Sequence, residues 1–439
     1  MNILVIGQTT LHWGRMEHGN IGNFYVLEPF INLLIDIFDG CNISTTLQLS
    51  DEFISGKPIT VLPMEYYYGF RENELSYSIN ELNLVDSFLE SGIWNEKTGY
   101  IDAVLNSDII IDYSGDIWGD NADFLGPDRF EVGLCKDLVA QKLNKPIYLI
   151  AGSPGPFGNP RTKDLAKEVF QNFTLVTNRE PISTEILARD GFDVSKVHDL
   201  ACPAFLFEPD FNVNVDEIFQ KAGIPKDERP IIGFILCGWN FISGPFDRWP
   251  RDDNEYASFV ELIEYLTNKY DVSVCLLSHS NGFPIPPAEF KLIHGRDYPI
   301  VKQLQKILQE RGIARHVYCL DGVYNPKVTK AIIGRFDMLI SGRVHGAVAG
   351  LSQFVPTVIL DYGHEPKAHK LKGFARVSGV EQFLANPEDT NDMMQKAEMC
   401  WLNRSSVRNF LINQIPMVQK KSRDNVNIIK KSYNDYNSN

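Results

Sequence analysis

Residues 338–362, MLISGRVHGAVAGLSQFVPTVILDY, decide the fold of this chain. The stretch predicts a strand, a sharp turn, a helix, a second turn and a second strand. MLI is an apolar run too short for a helix, Ser341-Gly342 marks a turn, and Val355-Pro356 ends a helix that begins with small residues. TVILDY is apolar and β-branched, which is typical of a buried parallel strand. A parallel α/β fold follows from this pattern.

Arg343 and His345 stand where the first of these strands turns into the helix. In open α/β sheets, ligands bind at the carboxyl ends of strands, and a helix N-terminus offers free N–H groups to anions. Arg343 adds a planar fork suited to a carboxylate or phosphate, and His345 adds a group that exchanges a proton near neutral pH. Gly346 and Gly350 let the helix approach the sheet closely. A solvated corner without function is the competing interpretation.

The composition is that of a soluble globular protein. The chain has 439 residues, of which 44% are hydrophobic and 22% charged, and this length predicts two domains. The net charge of −14 argues against nucleic-acid binding, because affinity for a phosphate backbone requires clustered cations. No apolar run reaches the length of a membrane span, and the opening NILVIG is interpreted as a strand rather than a signal peptide. The seven scattered cysteines fit a cytoplasmic protein, with peripheral attachment to the inner face of the membrane left open.

Strands and helices alternate along the chain in two series. A polar stretch with prolines at both ends, 208–229, separates the series and is predicted to be a linker. We therefore predict an N-terminal α/β domain at 1–207, a C-terminal α/β domain at 230–405, and a terminal helix with a polar tail at 406–439. The predicted fold is of the GT-B type, in which two Rossmann-like parallel-sheet domains face a central cleft.

Polar residues after other predicted strands are further candidates for ligand binding. Asn20 lies in a glycine-bearing loop, GNIGN, and Asp112 and Asp116 lie at or beyond the end of the strand SDIIID. Carboxylates at such a place bind sugar hydroxyls or a metal, although loop aspartates more often cap helices and turns. His279 ends the strand VSVCLLS, where a structural hydrogen bond is the stronger interpretation. No cluster has the spacing of metal ligands.

Several motifs follow one another in a specific order. The strongest is the stretch with Arg343 and His345, and the others are GNIGN at 19–23, PGPFGNP at 154–160, TLVTNRE at 174–180, STEILARDGF at 183–192 and VHDLACPAFLF at 197–207. Together they resemble the polysaccharide pyruvyltransferase family, whose signature is similar to the Ser-Gly-Arg-x-His strand–helix turn found here. The residues that match its Gly-Pro-Phe loop, Arg-acidic pair and following Ser are Gly155, Pro156, Phe157, Arg179, Glu180 and Ser183.

The resemblance implies a transferase that moves the pyruvyl group of phosphoenolpyruvate onto two hydroxyls of a hexose, forming a cyclic ketal in a capsule or exopolysaccharide precursor. It assigns donor binding to Arg179, Arg343 and Lys367, with Lys370 as the rival of Lys367. His345 is the candidate general acid, because the methylene carbon of the donor must be protonated. This chemistry calls for no organic cofactor and no metal.

The expected acceptor is a sugar or a lipid-linked oligosaccharide. Its contacts are assigned to Asn20, Asp112 and Asp116, one of which would orient or deprotonate a hydroxyl group. The departures from the family pattern are Asn23 in place of Asp, YSGD at 113–116, and additional segments at 64–100 and 239–254. Because these departures fall where the acceptor is expected, the sugar and its hydroxyl pair stay open.

Two other functions fit the same pattern. A nucleotide-sugar glycosyltransferase of the same architecture is one, since fold does not fix function. A non-catalytic glycan-binding relative is the other, and it would tolerate substitution of Arg343 and His345. Binding of phosphoenolpyruvate, of a nucleotide diphosphate or of neither at this corner distinguishes the three.

Overall fold

The structure, a computed structural model, describes residues 1–8, 13–226, 229–243, 248–362 and 368–437. The chain folds into two compact units. Unit 1 comprises Met1–Glu17, Phe30–Cys202 and Lys421–Asn439, and unit 2 comprises His18–Pro29 and Pro203–Lys420. Each unit is therefore assembled from separate stretches of the chain.

Unit 1 is built around a parallel sheet with seven strands in its described part, in the order β3-β2-β1-β4-β5-β6-β7. The strands are β1 Asn2–Ile6, β2 Asn42–Thr45, β3 Ile59–Val61, β4 Ile109–Asp112, β5 Ile147–Gly152, β6 Leu175–Asn178 and β7 Val197–Asp199. The helices are α1 Ile21–Ile37, which begins in unit 2, α2 Asp51–Ile54, α3 Glu74–Ser91, α4 Gly99–Leu105, α5 Arg129–Lys142, α6 Pro160–Gln171 and α7 Pro181–Arg189. Every residue of β4 and β5 is buried, as expected for apolar strands covered by helices on both faces.

Unit 2 contains a parallel sheet of six described strands, in the order β12-β9-β8-β13-β14-β15, and a short antiparallel pair, β10 and β11. The strands are β8 Ile231–Ile235, β9 Ser273–Leu276, β10 Asn281–Gly282, β11 Ile293–His294, β12 Val317–Cys319, β13 Met338–Ser341, β14 Thr357–Leu360 and β15 Leu384–Ala385. The helices are α8 Val215–Lys221, α9 Ala257–Lys269, α10 Asp297–Glu310, α11 Pro326–Ile333, α12 Val344–Leu351, α13 Ala368–Ser378, α14 Thr390–Leu402 and α15 Arg404–Asn437, which continues into unit 1.

The two large sheets share one strand order. In each, the first strand lies near the middle, the next two extend to one side, and the later strands extend to the other side. The order reverses between β1 and β4 in unit 1, and between β8 and β13 in unit 2. Doubly wound sheets bind ligands outside the carboxyl ends of the strands at such reversal points. The predicted fold of two Rossmann-like parallel-sheet domains is confirmed.

The limits of the two units differ from the predicted domain limits. Residues 203–207 fall in unit 2, and the predicted terminal segment 406–439 is divided, with 406–420 in unit 2 and 421–439 in unit 1. Residues 18–29 belong to unit 2, although they follow the first strand of unit 1. The stretch 208–229, predicted to be a linker, contains α8 and belongs to unit 2. Phe219 of α8 is buried and stacks on Phe336, with ring centroids 6.0 Å apart. The polar composition of this stretch concealed an amphipathic helix with one packed face.

The last helix, α15, is 34 residues long and includes Pro416. The predicted terminal helix is present, but the predicted polar tail is helical as far as Asn437, and Leu411, Ile415 and Ile429 of this helix are buried. Across the described ranges, we find no helix with the combination of length and apolar character that crossing a membrane demands.

The additional segment 64–100 is part of unit 1, and its helix α3 packs against α5. A buried ion pair joins Glu81 of α3 to Lys136 of α5, and Thr98 donates a hydrogen bond to Glu81 at 2.7 Å. Burial lowers the pKa of Lys136, and the Glu81 carboxylate opposes that shift. A second pair on the same two helices, Lys142 with Asp86 at 2.6 Å, is exposed to solvent.

We expect Lys136→Ala to lower the free energy of unfolding by about 3 kcal/mol, because it leaves the Glu81 carboxylate buried without its counter-ion. Lys142→Ala is the matched control, and its exposed pair should contribute less than about 1 kcal/mol. Urea unfolding followed by circular dichroism measures both variants. Equal losses in the two variants would show that burial of the first pair carries no special weight.

Candidate active site

Arg343 lies at the carboxyl edge of the second sheet, where the strand order reverses. It is the N-cap residue of α12, with an extended backbone, and directly follows the turn after β13. The Ser341 hydroxyl holds this turn, because it accepts a hydrogen bond from the Arg343 N–H at 3.3 Å and donates one to the Arg343 carbonyl at 2.9 Å. The predicted strand–turn–helix arrangement is confirmed, and it places Arg343 where parallel sheets bind ligands.

Helix α12 packs closely on the strand that precedes it, because glycines face that strand. A Cβ added at Gly346 would lie 2.7 Å from Ser341 Oγ, and one added at Gly350 would lie 2.7 Å from Leu339 Cδ2. Both distances are shorter than real Cβ contacts, so any larger residue would push the helix away. The close approach predicted for these glycines is confirmed.

The Arg343 guanidinium is paired with the carboxylate of Asp297, the first residue of α10. Nε donates to Asp297 Oδ2 at 3.0 Å, and Nη2 donates to Oδ1. Burial alone would lower the pKa of Arg343, but the Asp297 carboxylate outweighs it and raises that pKa above its ordinary value. Sequence reasoning missed Asp297, although an acidic residue shortly before a helical pattern was an available signal.

The GNIGN loop belongs to unit 2 and lies against His345. A Cβ added at Gly22 would be 2.3 Å from His345 Nδ1 and 2.9 Å from Asn20 Oδ1, so both side chains contact this glycine. Asn20 Oδ1 accepts a hydrogen bond from the Gly22 N–H at 2.6 Å, which fixes the start of α1. Of the residues predicted for the site, the structure therefore brings Asn20, Arg343 and His345 together in unit 2.

His279 follows β9 and is buried beside the same corner, with 2% of its surface exposed. Its ring meets the edge of Tyr25 at 5.5 Å, and its Nε2 has no hydrogen-bond partner in the described part of the chain. Burial lowers the pKa of His279 to about 3, with smaller contributions from His345 and Arg343. The imidazole is therefore neutral, a hydrogen bond with its own backbone opposes the shift, and Nε2 takes no part in the structural hydrogen bonding expected from the sequence.

Asn240 joins the carboxyl ends of three neighbouring strands of unit 2. Its Oδ1 accepts from the Cys237 N–H at 3.0 Å after β8, and its Nδ2 donates to the Leu360 carbonyl at 3.3 Å in β14. A Cβ on Gly342, after β13, would lie 2.0 Å from Asn240 Oδ1. Asn240, the second residue of the additional segment 239–254, thus lies against the turn before Arg343, which the loop-like sequence of the segment did not reveal.

In unit 1, Arg179 occupies a corresponding place directly after β6. It is 5% exposed, its Nε donates to Ser153 Oγ at 2.8 Å, and its Nη2 lies 3.9 Å from Asp116 Oδ1. Burial alone would lower the pKa of Arg179, but Asp116 and other acidic groups have the larger effect and raise this pKa above its ordinary value. The structure therefore brings two predicted site residues, Arg179 and Asp116, together in unit 1.

Glu180 and Ser183 have a structural role in that motif. Glu180 is the N-cap residue of α7, and its carboxylate accepts hydrogen bonds from the Ser183 N–H at 3.1 Å and from the Ser183 hydroxyl. Burial raises the pKa of Glu180 to about 7, and these hydrogen bonds oppose the shift. An Arg-acidic pair followed by Ser therefore specifies a helix start that holds Arg179 at the sheet edge.

Asp112 is fully buried at the end of β4, with 0% exposure. Its Oδ1 accepts from the Ser114 N–H at 2.7 Å and from the Ser114 hydroxyl. Burial raises the pKa of both Asp112 and Asp137, and the charge of Asp112 raises the pKa of Asp137 further. The acceptor role of Asp112 stays a prediction, but its burial favours the role of holding the turn before Asp116, whose side chain is 34% exposed.

Lys367 and Lys370 are the two lysines considered for binding of the donor. Lys367 lies outside the described residues. Lys370 is 2% exposed within α13. In the described ranges, no group of three or more His, Cys, Asp or Glu side chains could hold a metal ion.

A family profile described as polysaccharide pyruvyl transferase matches residues 43–364, more than half of the chain. Among curated proteins, the chain is similar to the amylovoran biosynthesis protein AmsJ of Erwinia amylovora, with 33% identity over 304 residues. The aligned region covers 67% of this chain and 63% of AmsJ, so the chain spans less than two thirds of that relative.

Solved structures with the same fold include proteins in complex with UDP or a UDP-sugar. UDP-GlcNAc 2-epimerase from Neisseria meningitidis, bound to UDP-GlcNAc, aligns with a TM-score of 0.57 at 11% identity, over 98% of this chain and 100% of that chain. Anabaena Alr3699/HepE, in complex with UDP and glucose, aligns with a TM-score of 0.55 at 13% identity over 100% of both chains. The structural similarity at these low sequence identities shows a shared fold, which is of the GT-B type.

We expect Gly22→Ala to displace the His345 ring, because the new Cβ would lie 2.3 Å from Nδ1. Alanine suits a helix better than glycine does, so the backbone should tolerate the change. The ring signals of His345 in protein labelled with ¹³C-histidine should shift. Gly282→Ala is the control, since its nearest neighbour would be 3.6 Å away. Unchanged His345 signals in Gly22→Ala would contradict the contact.

Proposed function

Because this chain belongs to the polysaccharide pyruvyl transferase family, we propose that it transfers the pyruvyl group of phosphoenolpyruvate to two hydroxyls of a hexose in a polysaccharide precursor, forming a cyclic ketal. The observation that carries the proposal is the Arg343 and His345 pair at the strand–helix turn of the second sheet. This pair combines a fixed guanidinium with an imidazole beside it, and it lies inside the region that matches the family.

The reaction has defined requirements for protons and charge. Protonation of the donor's methylene carbon gives the neighbouring carbon, which bears the phosphate ester, a cationic character. The first sugar hydroxyl attacks that carbon, forms a C–O bond and loses its proton. The phosphate then leaves with the electron pair of its C–O bond, and the second hydroxyl closes the ring. One hydroxyl proton restores the acid, and the other leaves with the phosphate.

His345 is the proposed acid that protonates the methylene carbon. Its position in the first turn of α12 gives the positive end of the helix dipole as a neighbour, which disfavours an imidazolium. The phosphate and carboxylate of a bound donor favour the imidazolium, and full charges at short range outweigh a partial dipole charge. The donor itself therefore supplies the electrostatic condition for protonation of His345, while His279 stays neutral.

Exopolysaccharide synthesis is the proposed biological setting of the reaction. The similarity to a protein named for amylovoran biosynthesis supports this setting. For the acceptor, the partly exposed carboxylate of Asp116 is the group we propose to orient or deprotonate a hydroxyl, with Asn20 as the second candidate. The acceptor itself is proposed to be a sugar or a lipid-linked oligosaccharide, and the donor to be held by Arg179, Arg343 and Lys367.

The function is tested by incubating the purified protein with phosphoenolpyruvate and a panel of hexosides and lipid-linked oligosaccharides. Release of inorganic phosphate together with a ketal product, identified by mass spectrometry and NMR, is the expected result. A parallel reaction with UDP-sugars tests the glycosyltransferase alternative. Sugar transfer from a UDP-sugar without ketal formation would overturn the proposal, and glycan binding without either reaction would support the non-catalytic alternative.

We expect His345→Gln to lower turnover by about 10² or more, the usual scale for loss of an acid–base group. Glutamine keeps the polarity and approximate size of the side chain, so donor affinity should change only a few-fold. His294→Gln, at a histidine whose Nε2 lies 3.0 Å from the Asp321 carbonyl, is the control. Near-normal turnover would remove His345 from the chemistry, and lost binding with intact turnover would make it a phosphate ligand.

Arg179→Lys and Arg343→Lys should each weaken phosphoenolpyruvate binding by about 10-fold, because a point charge cannot reproduce the hydrogen bonds of a planar fork. Calorimetric titration with phosphoenolpyruvate measures the effect. The control is Arg335→Lys, which changes a surface arginine paired with Asp216 at 2.6 Å. An affinity equal to that of the unsubstituted protein in either variant would remove that arginine from the donor site.

A further inference from the structure

We propose that Asp297 is a positioning residue, which fixes the Arg343 guanidinium so that one defined edge of it meets the ligand. This inference rests on the proposed function for its ligand, an anionic donor, but its structural basis is independent. None of the family motifs contains Asp297, which begins helix α10 and is far in sequence from Arg343.

The contact between the two side chains uses one edge of the guanidinium. Asp297 receives hydrogen bonds from Nε and Nη2, the two nitrogens of the side edge. The end edge, formed by Nη1 and the outer N–H of Nη2, makes no hydrogen bond with the described residues. A carboxylate or phosphate therefore meets Arg343 end-on rather than side-on, because the side edge is already occupied.

Asp297 is itself held in place. It is fully buried, and its N–H donates to Ser280 Oγ at 2.9 Å. Gly295 closes this segment tightly, since a Cβ there would lie 2.6 Å from the Ser280 carbonyl carbon. Asp297 also begins α10, a helix of 14 residues whose N-terminus favours a negative charge. The carboxylate is thus a rigid support for the arginine.

Stability alone does not account for this ion pair. Burying a carboxylate and a guanidinium costs hydration, and apolar residues of similar volume often stabilise a protein equally well. The Arg343 side chain is 16% exposed, whereas Asp297 is at 0%, so the guanidinium reaches the sheet edge from a buried anchor. A buried carboxylate can therefore hold a guanidinium that still reaches the ligand. A guanidinium that is already fixed loses less conformational entropy when the ligand binds.

The pair also changes what attracts the donor. A free guanidinium would present a full positive charge, but Asp297 compensates most of it at close range. Recognition at this corner then depends on the direction of the remaining N–H groups more than on charge. A displaced guanidinium should therefore impair turnover strongly, because misplacement of about 1 Å in an active site can cost 10²-fold in rate.

The main experiment measures kcat/KM for phosphoenolpyruvate in four proteins: unsubstituted, Asp297→Asn, Arg343→Lys and the double variant. Asparagine keeps the size of the side chain but turns one acceptor into a donor that faces the arginine. We expect Asp297→Asn to lower kcat/KM by about 10-fold to 10²-fold alone, and by less than about 3-fold when Arg343 is already lysine. Equal losses in both backgrounds would overturn the proposal.

A purely structural role is distinguished by conservative substitution and a matched control. Asp297→Glu keeps the charge, so a structural ion pair would be restored, but it moves the guanidinium by one methylene group and should still lose kcat with little change in melting temperature. Recovery of normal kcat in this variant would overturn the proposal, even if Asp297→Asn fails to fold. The control is Asp271→Asn, which breaks an exposed Asp–Arg pair with Arg229 at 3.0 Å.

A readout that needs no activity separates this inference from the proposed function. Modification of Arg343 by phenylglyoxal, mapped by peptide mass spectrometry, should be slow in the unsubstituted protein and about 5-fold faster in Asp297→Asn, because a weak barrier of about 1 kcal/mol is removed. Arg335 serves as the internal reference. An unchanged rate at Arg343 would overturn the positioning role whatever the enzyme does. A faster rate in a protein that forms no ketal would retain the positioning role and reject the proposed function.

Discussion

The close packing of α12 on the strand before it is the constraint on which the candidate site in unit 2 depends. Gly346 and Gly350 leave no room for a Cβ, so the helix starts directly at the carboxyl edge of the sheet. Arg343 then caps the helix, and His345 lies in its first turn. A looser helix would move both side chains away from the edge of the sheet, and the site would lose its geometry.

Each unit holds an arginine directly beyond a strand, but the two arginines have different surroundings. Arg179 is nearly buried and contacts Ser153 and, at 3.9 Å, Asp116. Arg343 has a carboxylate paired with it through two hydrogen bonds. The paired carboxylate therefore lies farther from the guanidinium of Arg179 than from that of Arg343, although both arginines follow from one strand–helix rule.

Local patterns predicted the fold and the Arg343 turn, because apolar runs, glycines and Val-Pro punctuation act over a few residues. They could not predict the contacts of Asp297 or Gly22, since long-range packing brings those residues to Arg343 and His345. Asp112 shows a different limit of sequence-based prediction, because a local pattern there suggested the wrong exposure. A carboxylate at a strand end is expected to face solvent, yet the turn through Ser114 folds over it and buries it completely.

Because each unit is assembled from separate stretches of the chain, the two units are completed in a fixed order during synthesis on the ribosome. Residues Lys421–Asn439 complete unit 1 and leave the ribosome only after all of unit 2 has been made. Asn425 has a buried place there, because its Oδ1 accepts from the Thr177 hydroxyl at 2.7 Å and its Nδ2 donates to the Ala201 carbonyl at 2.8 Å. The N-terminal half of the chain therefore keeps part of its surface uncovered until this last segment of unit 1 has been made.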